Sequence, residues 1–407
     1  MTNKDKLTSF IIRNNYDIRK NHNARWIDQK CTPDVVSTIA DCICSCYSES
    51  ENNFFSSSDI RQSEYADKNI STFFKKPSVN NKNAIHEYDK FFQQPMEMLA
   101  NAGILIKEKR GNRNYYRINR WDLLEYIATR ERNALDFICI YVKKVLEDSG
   151  LMSKFDTFFS NQDKQSYREL KNEFACFTIS NTPINTPVEC GRIFTKIINP
   201  LAYERNAKGT KRGHISKDII TFDMLMYNSL NFRDIYADKP KGITRKEYIK
   251  THPIDTKNIA YYHYQSSKAK KYLRIFNTNY RRSKSEYLGD AYEDDEATHM
   301  HHIFPESDYP EICFYYENII ALTPTQHLNY AHPNGNTQFV DSEYQHTLLL
   351  AKVDRIKENL TGDCEEKIYS FDNLKHVLVI GFEDSNIEEI EPDDYISIMN
   401  VINAHYA

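Results

Sequence analysis

The chain has 407 residues, of which 40% are hydrophobic and 13% are aromatic, and its formal net charge is −4. This length predicts roughly two to three domains, and the composition supplies enough apolar surface for folded cores, which excludes an intrinsically disordered protein. The net charge gives no overall attraction to nucleic acid. Any surface that binds DNA must therefore come from local clusters of lysine and arginine.

Nine cysteines are scattered along the chain, and none forms the Cys-x-x-Cys spacing of a zinc knuckle. We therefore expect reduced thiols and no structural zinc. Residues 1–6 lack the apolar core of a signal peptide, and no apolar run approaches the length that spans a membrane. These features predict a cytoplasmic protein with no membrane partner.

Segment 1–50 is predicted to be helical, because apolar residues recur at helical spacing towards its end. These residues are Val35, Val36, Ile39, Ile43 and Tyr47.

Segment 51–130 has the pattern of a helix that leads into a hairpin. Apolar residues recur at helical spacing over 84–102, and Gly103 ends that helix. Two strands within 104–118, joined by a Gly111-Asn112 turn, then predict a basic hairpin. The pattern resembles a winged helix-turn-helix domain, and solvated charge on a small packing module is the alternative. The hairpin cations that would contact DNA phosphates are Lys107, Lys109, Arg110, Arg113 and Arg117.

Segment 131–200 is predicted to be a helical linker domain. Three prolines between residues 181 and 213 predict loop structure there, and the stretch ends in a basic loop that contains Lys208, Lys211 and Arg212. Glycines in that loop would let the backbone approach a phosphate. Phosphate binding and plain solvation are equally good interpretations of it.

The strongest cluster of positive charge lies within residues 268–284, which contain no acidic residue. Neutralising several phosphates in this way would give salt-sensitive binding to DNA, and arginines can also bind guanine edges or stack on bases. A solvated surface is the alternative. The cations are Lys268, Lys270, Lys271, Arg274, Arg281, Arg282 and Lys284.

Histidines are concentrated in residues 299–332. His301 and His302 are neighbours in a strand-like segment, so their side chains point to opposite sides. One imidazole can then bind a cation while the other takes a proton from water. A centre with few protein ligands leaves positions for water and a phosphate oxygen, as metal-assisted phosphodiester cleavage requires.

A second apolar run and a short helix follow the first strand. Asn318 opens the run, and His327 lies in the helix. The helix start is marked by Thr323 as the N-cap, Pro324 at the first helical position and Gln326, which completes a capping box. The stretch therefore predicts strand, loop, strand and helix.

These residues resemble the HNH, or ββα-metal, nucleases, whose motif is an acidic residue or His, then His-Ile-x-Pro, a central Asn, and a His nine residues on. The resemblance covers residues 299–332. It implies that His301 and His327 are metal ligands, that His302 is the general base, and that Asn318 braces the loop that carries the base.

One position departs from the family pattern. A further His or Asn usually follows four residues after the helical His, and this chain has Ala331 there. His332 is next, but on an α-helix its side chain would lie about 140° around from His327. His332 would be a ligand only if the helix unwinds before Pro333. A histidine cluster that packs a core or holds a structural metal is the alternative for the whole stretch.

The predicted fold class is α+β: a mostly helical multidomain chain with a winged-helix domain and a ββα-metal (HNH) nuclease unit. The predicted division is an N-terminal helical segment 1–50, a winged-helix domain 51–130, a helical linker domain 131–200, a basic DNA-binding region with the catalytic domain 201–345, and a C-terminal helical segment 346–407.

The resemblance implies a sequence-specific type II restriction endonuclease of the HNH class, acting on double-stranded DNA with one divalent ion, Mg²⁺ or Mn²⁺, per subunit. One such unit cuts one strand, so a homodimer is expected, and a companion DNA methyltransferase that acts on the same site is the implied partner. The alternatives are a homing, phage or modification-dependent nuclease, and a winged-helix regulator whose histidines form a structural or inactive metal site.

Overall fold

Helices make up most of the chain, and the strands are short. The computed structural model describes residues 3–48, 53–74, 76, 85–227, 240, 243, 247, 251, 259–289, 295–332 and 340–407. Helices and strands are mixed in this part of the chain, in agreement with the predicted α+β class. None of its helices combines the length and the apolarity that crossing a bilayer demands.

The chain forms two compact units, Met1–Thr256 and Lys257–Ala407, which we call the N-terminal and the C-terminal unit. The helices of the N-terminal unit are α1 (Asn3–Ile12), α2 (Ile18–Asn21), α3 (Pro33–Cys46), α4 (Ser57–Arg61), α5 (Glu64–Phe73), α6 (Ile85–Asn101), α7 (Trp121–Thr129), α8 (Glu131–Asp148), α9 (Met152–Asn161), α10 (Lys164–Asn181) and α11 (Pro187–Glu204). Its strands are β1 (Phe55–Ser56), β2 (Leu105–Arg110), β3 (Arg113–Ile118), β4 (Lys208–Lys211) and β5 (His214–Ile219).

The N-terminal unit contains a three-stranded antiparallel sheet in the order β1-β3-β2. Strands β2 and β3 form the expected basic hairpin, in which Lys109 lies opposite Asn114 and Arg110 opposite Arg113. Helix α6 leads into the hairpin and ends before Gly103, whose φ of 81° lies in the left-handed region that glycine tolerates. The prediction of a helix followed by a hairpin is confirmed.

The loop prediction for residues 181–213 is wrong over Pro187–Glu204, which form helix α11. Pro187 begins helix α11, where a missing N–H loses no partner, and Thr186 caps the helix by accepting from the Glu189 amide at 3.4 Å. Pro200 lies inside the helix, where a proline costs about 3 kcal/mol. Burial of the apolar face outweighs this cost, because each buried side chain of this kind contributes about 1.5–3 kcal/mol. The buried residues are Ile193, Phe194, Ile197, Ile198 and Leu201.

The predicted basic loop is a β-hairpin. Lys208 and Lys211 are the first and last residues of β4, and Arg212 lies in the turn with a φ of 53°. Gly209 packs against helix α11, since a Cβ at this position would lie 2.5 Å from Asn199 Oδ1. The glycine therefore serves the contact between hairpin and helix.

The C-terminal unit contains a two-stranded sheet surrounded by helices. Its elements are α12 (Ile259–Arg281), β6 (His299–His302), β7 (Ile319–Leu322), a π-helix (Gln326–Ala331), α13 (Ser342–Thr361), α14 (Phe371–Phe382) and α15 (Tyr395–Tyr406).

One hydrophobic core joins the sheet of this unit to all of its α-helices. A buried ion pair reinforces the connection: Glu286 accepts from Lys352 of α13 at 3.0 Å and from the Ala321 amide of β7 at 3.4 Å. Segment 346–407, predicted as separate from 201–345, therefore shares one core with the sheet that contains the histidine-bearing strand β6.

Candidate metal centre

Strand β6 divides its histidines between two faces. It pairs with β7 so that His301 lies opposite Ile320 and His302 opposite Ile319. His301 faces the π-helix, whereas His302 contacts Ser266 of α12. The predicted separation of the two side chains is confirmed.

Three histidines form a compact cluster on the π-helix side of β6. One nitrogen from each of His301, His327 and His332 lies within 4.8 Å of the others. The ring of His332 is centred 4.9 Å from the ring of His301 and 4.7 Å from that of His327. We call these residues the three-histidine cluster.

Two nitrogens of the three-histidine cluster lack any hydrogen-bond partner. Nε2 of His301 and Nδ1 of His327 are buried, and neither is bonded within the described part of the chain. A buried polar atom left without a partner costs about 1–3 kcal/mol. A cation shared by these nitrogens would satisfy both of them, so the residues fit a metal ion.

A π-helix brings His332 to the cluster. Hydrogen bonds in a π-helix join residues five apart, so a residue five positions along returns to the same face. Residues Gln326–Ala331 have this geometry, and His332 follows as the C-cap. The angle of about 140° applies to an α-helix, and residues 326–332 do not continue as one, so the stated condition for His332 as a ligand is met.

The start of this helix has the predicted capping box. Thr323 Oγ1 accepts from the Gln326 amide at 3.2 Å, and Gln326 Oε1 accepts from the Thr323 amide at 3.1 Å. The hydroxyl of Ser285 also donates to Gln326 Oε1 at 2.6 Å. His332 itself is non-helical, with φ −125° and ψ 78°, so the helix ends before Pro333, as the alternative for His332 required.

Burial keeps His301 and His327 in the neutral form that binds metals. Desolvation, followed by the neighbouring imidazoles, lowers the pKa of His301 well below its usual 6.5. The same two causes lower the pKa of His327 to about 4. Both rings are therefore neutral at neutral pH and present a lone pair to a cation.

His302 has a defined tautomer. Its Nε2 lies 2.8 Å from the carbonyl oxygen of Cys313, which can only accept, so Nε2 carries the proton. Nδ1 is then the basic nitrogen, and Oε2 of Glu306 lies 3.6 Å from it. Burial, and then the charge of Lys270, lower the pKa of His302 to about 3.

Asn318 ties the loop after β6 to the start of β7. Its side chain is fully buried, accepts from the Phe304 amide at 2.8 Å, and donates to the carbonyls of Phe304 at 3.0 Å and Ile312 at 3.3 Å. The backbone carbonyl of Asn318 accepts from Ile303 at 2.9 Å. The loop that follows His302 is thereby fixed at both ends.

Sequence reasoning missed the polar groups around His302. Ser266 Oγ lies 3.2 Å from His302 Nε2 and donates to Glu306 Oε2 at 3.0 Å, and Glu306 Oε1 contacts Nδ1 of the exposed His263. Ser266 and His263 are more than 30 positions from His302 in the chain, and no local pattern links them. Helical spacing in α12 was the only usable signal, since His263, Ser266 and Lys270 share one face of it.

The predicted DNA-binding cations of the N-terminal unit lie on two hairpins. Lys109 and Arg113 are exposed at the end of the β2–β3 hairpin. Arg110 is bonded to Glu108 at 3.0 Å and packs on the ring of Phe54. Lys107 of β2 pairs with Glu97 at 2.7 Å, and Arg117 lies within β3. Lys208, Lys211 and Arg212 lie on the β4–β5 hairpin.

Most of the predicted cations of the C-terminal unit lie on α12. Lys271 and Arg274 are exposed, and Arg281 ends the helix with Arg282 directly after it. Lys270 is the member of this set that the structure brings to the histidines, because its charge contributes to the lowered pKa values of His301, His302 and His327.

Comparison with protein-family models, with curated proteins and with solved structures gave no match for this chain. Conclusions about function therefore depend on its residues and their geometry.

Proposed function

We propose that the protein is a metal-dependent endonuclease that hydrolyses phosphodiester bonds in double-stranded DNA. The observation that carries the proposal is the pair of imidazole environments on the two faces of β6. One face bears the three-histidine cluster, and the other bears His302 with an unprotonated Nδ1. Hydrolysis by an activated water needs a metal ion and a neutral imidazole that act on one phosphate, and adjacent residues of β6 carry the two.

We assign one role to each of these side chains. Nδ1 of His302 accepts a proton from the attacking water, while the Cys313 carbonyl keeps Nε2 protonated. Asn318 holds the loop on which the reactive geometry depends. The three-histidine cluster would hold a divalent cation, which supplies positive charge to the scissile phosphate and the departing oxygen.

Positive charge on both units supports DNA as the substrate. In the C-terminal unit the exposed Lys271 and Arg274 of α12 are available to phosphates, and Lys270 lies nearer to the histidines. In the N-terminal unit the sheet order β1-β3-β2 and the hairpin that carries Lys109 and Arg113 are compatible with a winged helix. We assign phosphate contact to both surfaces.

Within this class we favour a type II restriction endonuclease of the HNH kind. Much of the chain lies outside the catalytic elements and is available for sequence recognition and subunit pairing. One ββα unit cuts one strand, so a double-strand break calls for a homodimer. A companion methyltransferase with the same recognition sequence would protect the host DNA.

Plasmid cleavage tests the proposal. The full-length protein, supplied with Mg²⁺, Mn²⁺ or Co²⁺, should produce discrete fragments. His302→Ala should lower the cleavage rate by about 100-fold or more, because a positioned general base contributes about that much, while DNA binding in a gel-shift assay persists. His346→Ala is the matched control, since His346 bonds Asn403 away from the cluster and should cut normally.

Two outcomes would contradict the proposal. Unchanged cleavage by His302→Ala would remove the base from its assigned role. Sequence-specific binding without cleavage under any of the three cations would favour the regulator, with the histidines as a structural or inactive centre.

A further inference from the structure

We infer that the three-histidine cluster selects a borderline transition-metal ion such as Zn²⁺, Co²⁺ or Ni²⁺ and discriminates against Mg²⁺. The inference deepens the proposed function, since it concerns the ion at the same centre. It differs from the expectation of Mg²⁺ or Mn²⁺ that the family resemblance carries.

The donor atoms are the first argument. Within the part of the chain that the structure describes, the cluster consists of three imidazoles and includes neither a carboxylate nor a thiolate. Mg²⁺ takes oxygen ligands in a near-octahedral arrangement and gives up its water reluctantly. Imidazole nitrogen suits the later first-row ions, whose affinities rise from Mn²⁺ through Co²⁺ to Ni²⁺.

Burial strengthens this preference. His301 and His332 expose only 3% and 5% of their surfaces, so an ion bound there must exchange part of its water shell for protein nitrogens. The partnerless nitrogens of His301 and His327 gain a ligand bond in return. An ion that binds imidazole weakly cannot recover the cost of losing water.

The number of ligands separates a hydrolytic centre from a structural one. Structural zinc sites are closed by four protein ligands, whereas catalytic sites have three and leave one position for water or substrate. The cluster provides three. Because imidazole binds a metal in its uncharged form, three such ligands leave the full charge of a divalent ion to act on a phosphate oxygen.

His332 is the ligand whose replacement tests the selectivity, and it directly follows the π-helix as its C-cap. An oxygen donor there would make the centre two imidazoles and a carboxylate, which is better suited to Mn²⁺ and Mg²⁺. His299 offers a matched control: its ring stacks on His327 at 4.8 Å, but it does not belong to the cluster.

Metal binding measured without DNA tests the inference. The full-length protein, stripped with EDTA, is titrated with Zn²⁺, Co²⁺, Ni²⁺, Mn²⁺ or Mg²⁺ in calorimetry and in thermal unfolding. We expect one Zn²⁺ or Co²⁺ per chain at an affinity about 100-fold or more above that for Mg²⁺, and an absorption spectrum of bound Co²⁺ typical of nitrogen ligands. Mg²⁺ binding as tight as Zn²⁺ binding would overturn the inference.

Two variants sharpen the test. His332→Asp should reduce the preference for Co²⁺ over Mn²⁺ by about tenfold or more, whereas His299→Ala should leave it unchanged. An unchanged preference in His332→Asp, with its thermal unfolding transition intact, would also overturn the inference. The wild-type titration alone decides the matter if the variant does not fold.

Failure of this inference is distinguishable from failure of the proposed function. Cleavage with Mg²⁺ and equal affinity for all five ions would support the proposed nuclease activity and contradict the inferred metal selectivity. Selective binding of Zn²⁺ or Co²⁺ without cleavage under any ion would support the metal selectivity and contradict the nuclease activity.

Discussion

Lys270 differs in its surroundings from the other cations of residues 268–284. It lies one helical turn after Ser266, whose hydroxyl contacts His302. Burial lowers the pKa of Lys270, while the charge of Glu306 favours its protonated form. Its neighbour Lys271 is exposed. The two adjacent lysines should therefore act differently, one on the chemical step and the other on DNA affinity.

We expect Lys270→Met to slow single-turnover cleavage by about tenfold to 100-fold at saturating protein, since a positive charge beside the reacting phosphate stabilises the transition state. Lys271→Met should leave that rate nearly unchanged and weaken DNA binding. The slope of log affinity against log salt concentration should fall by about the amount that one phosphate contact contributes. Quenched-flow cleavage and fluorescence anisotropy measure the two effects. Equal slowing by both variants would contradict the assignment.

At the scale of elements, the π-helix explains how two histidines five residues apart, His327 and His332, join His301 in one cluster. An α-helix places residues three or four apart on one face, and here the spacing between His327 and His332 is five. The wider helix restores the common face.

Deletion of Leu328 tests this account. Leu328 exposes 45% of its surface, and its removal would place His327 and His332 four residues apart, so that an ordinary α-helix could present both. We expect Co²⁺ affinity to stay within about tenfold of the native value, as measured by calorimetry.

His332→Ala is the comparison for that experiment. It keeps the length of the helix but removes a ligand, and it should lower Co²⁺ affinity by about 100-fold. If the deletion loses as much affinity as His332→Ala, the π-helix has a role other than the placement of His332.

At the scale of the whole molecule, a chain with a net charge of −4 must concentrate its positive charge in order to bind DNA. The exposed cations of the β2–β3 hairpin are one such concentration in the N-terminal unit. The three-histidine cluster belongs to the C-terminal unit. DNA affinity and metal affinity should therefore respond to different substitutions.

A double variant, Lys109→Glu with Arg113→Glu, should weaken DNA binding. The slope of log affinity against log salt concentration should fall by about the amount that two phosphate contacts contribute. Co²⁺ affinity should not change. Anisotropy titrations over a range of KCl concentrations measure the slope. Lys154→Glu provides the control, because Lys154 pairs with Glu173 on the helices α9 and α10 of the same unit. A slope equal to that of the control would exclude the hairpin from the DNA interface.

Local signals were sufficient for several parts of this protein. Alternation along a strand put His301 and His302 on opposite faces, and the Thr323 capping box marked a helix start. The hairpin after Gly103 was predictable for the same reason. Each of these features depends on residues within a few positions of one another. The order of side chains along the chain determines hydrogen bonding and side-chain direction at that range.

Tertiary packing decided the rest. Burial of its apolar face stabilises helix α11 although Pro200, which disfavours a helix interior, lies within it. A widened helix turned His332 towards His301. Ser266 and Glu306 met His302 because α12 packs beside β6, although 36 positions separate Ser266 from His302. The free energy of burying surfaces that are distant in the chain decides which residues surround a site. A local sequence pattern does not identify those surfaces, so it cannot predict the surroundings.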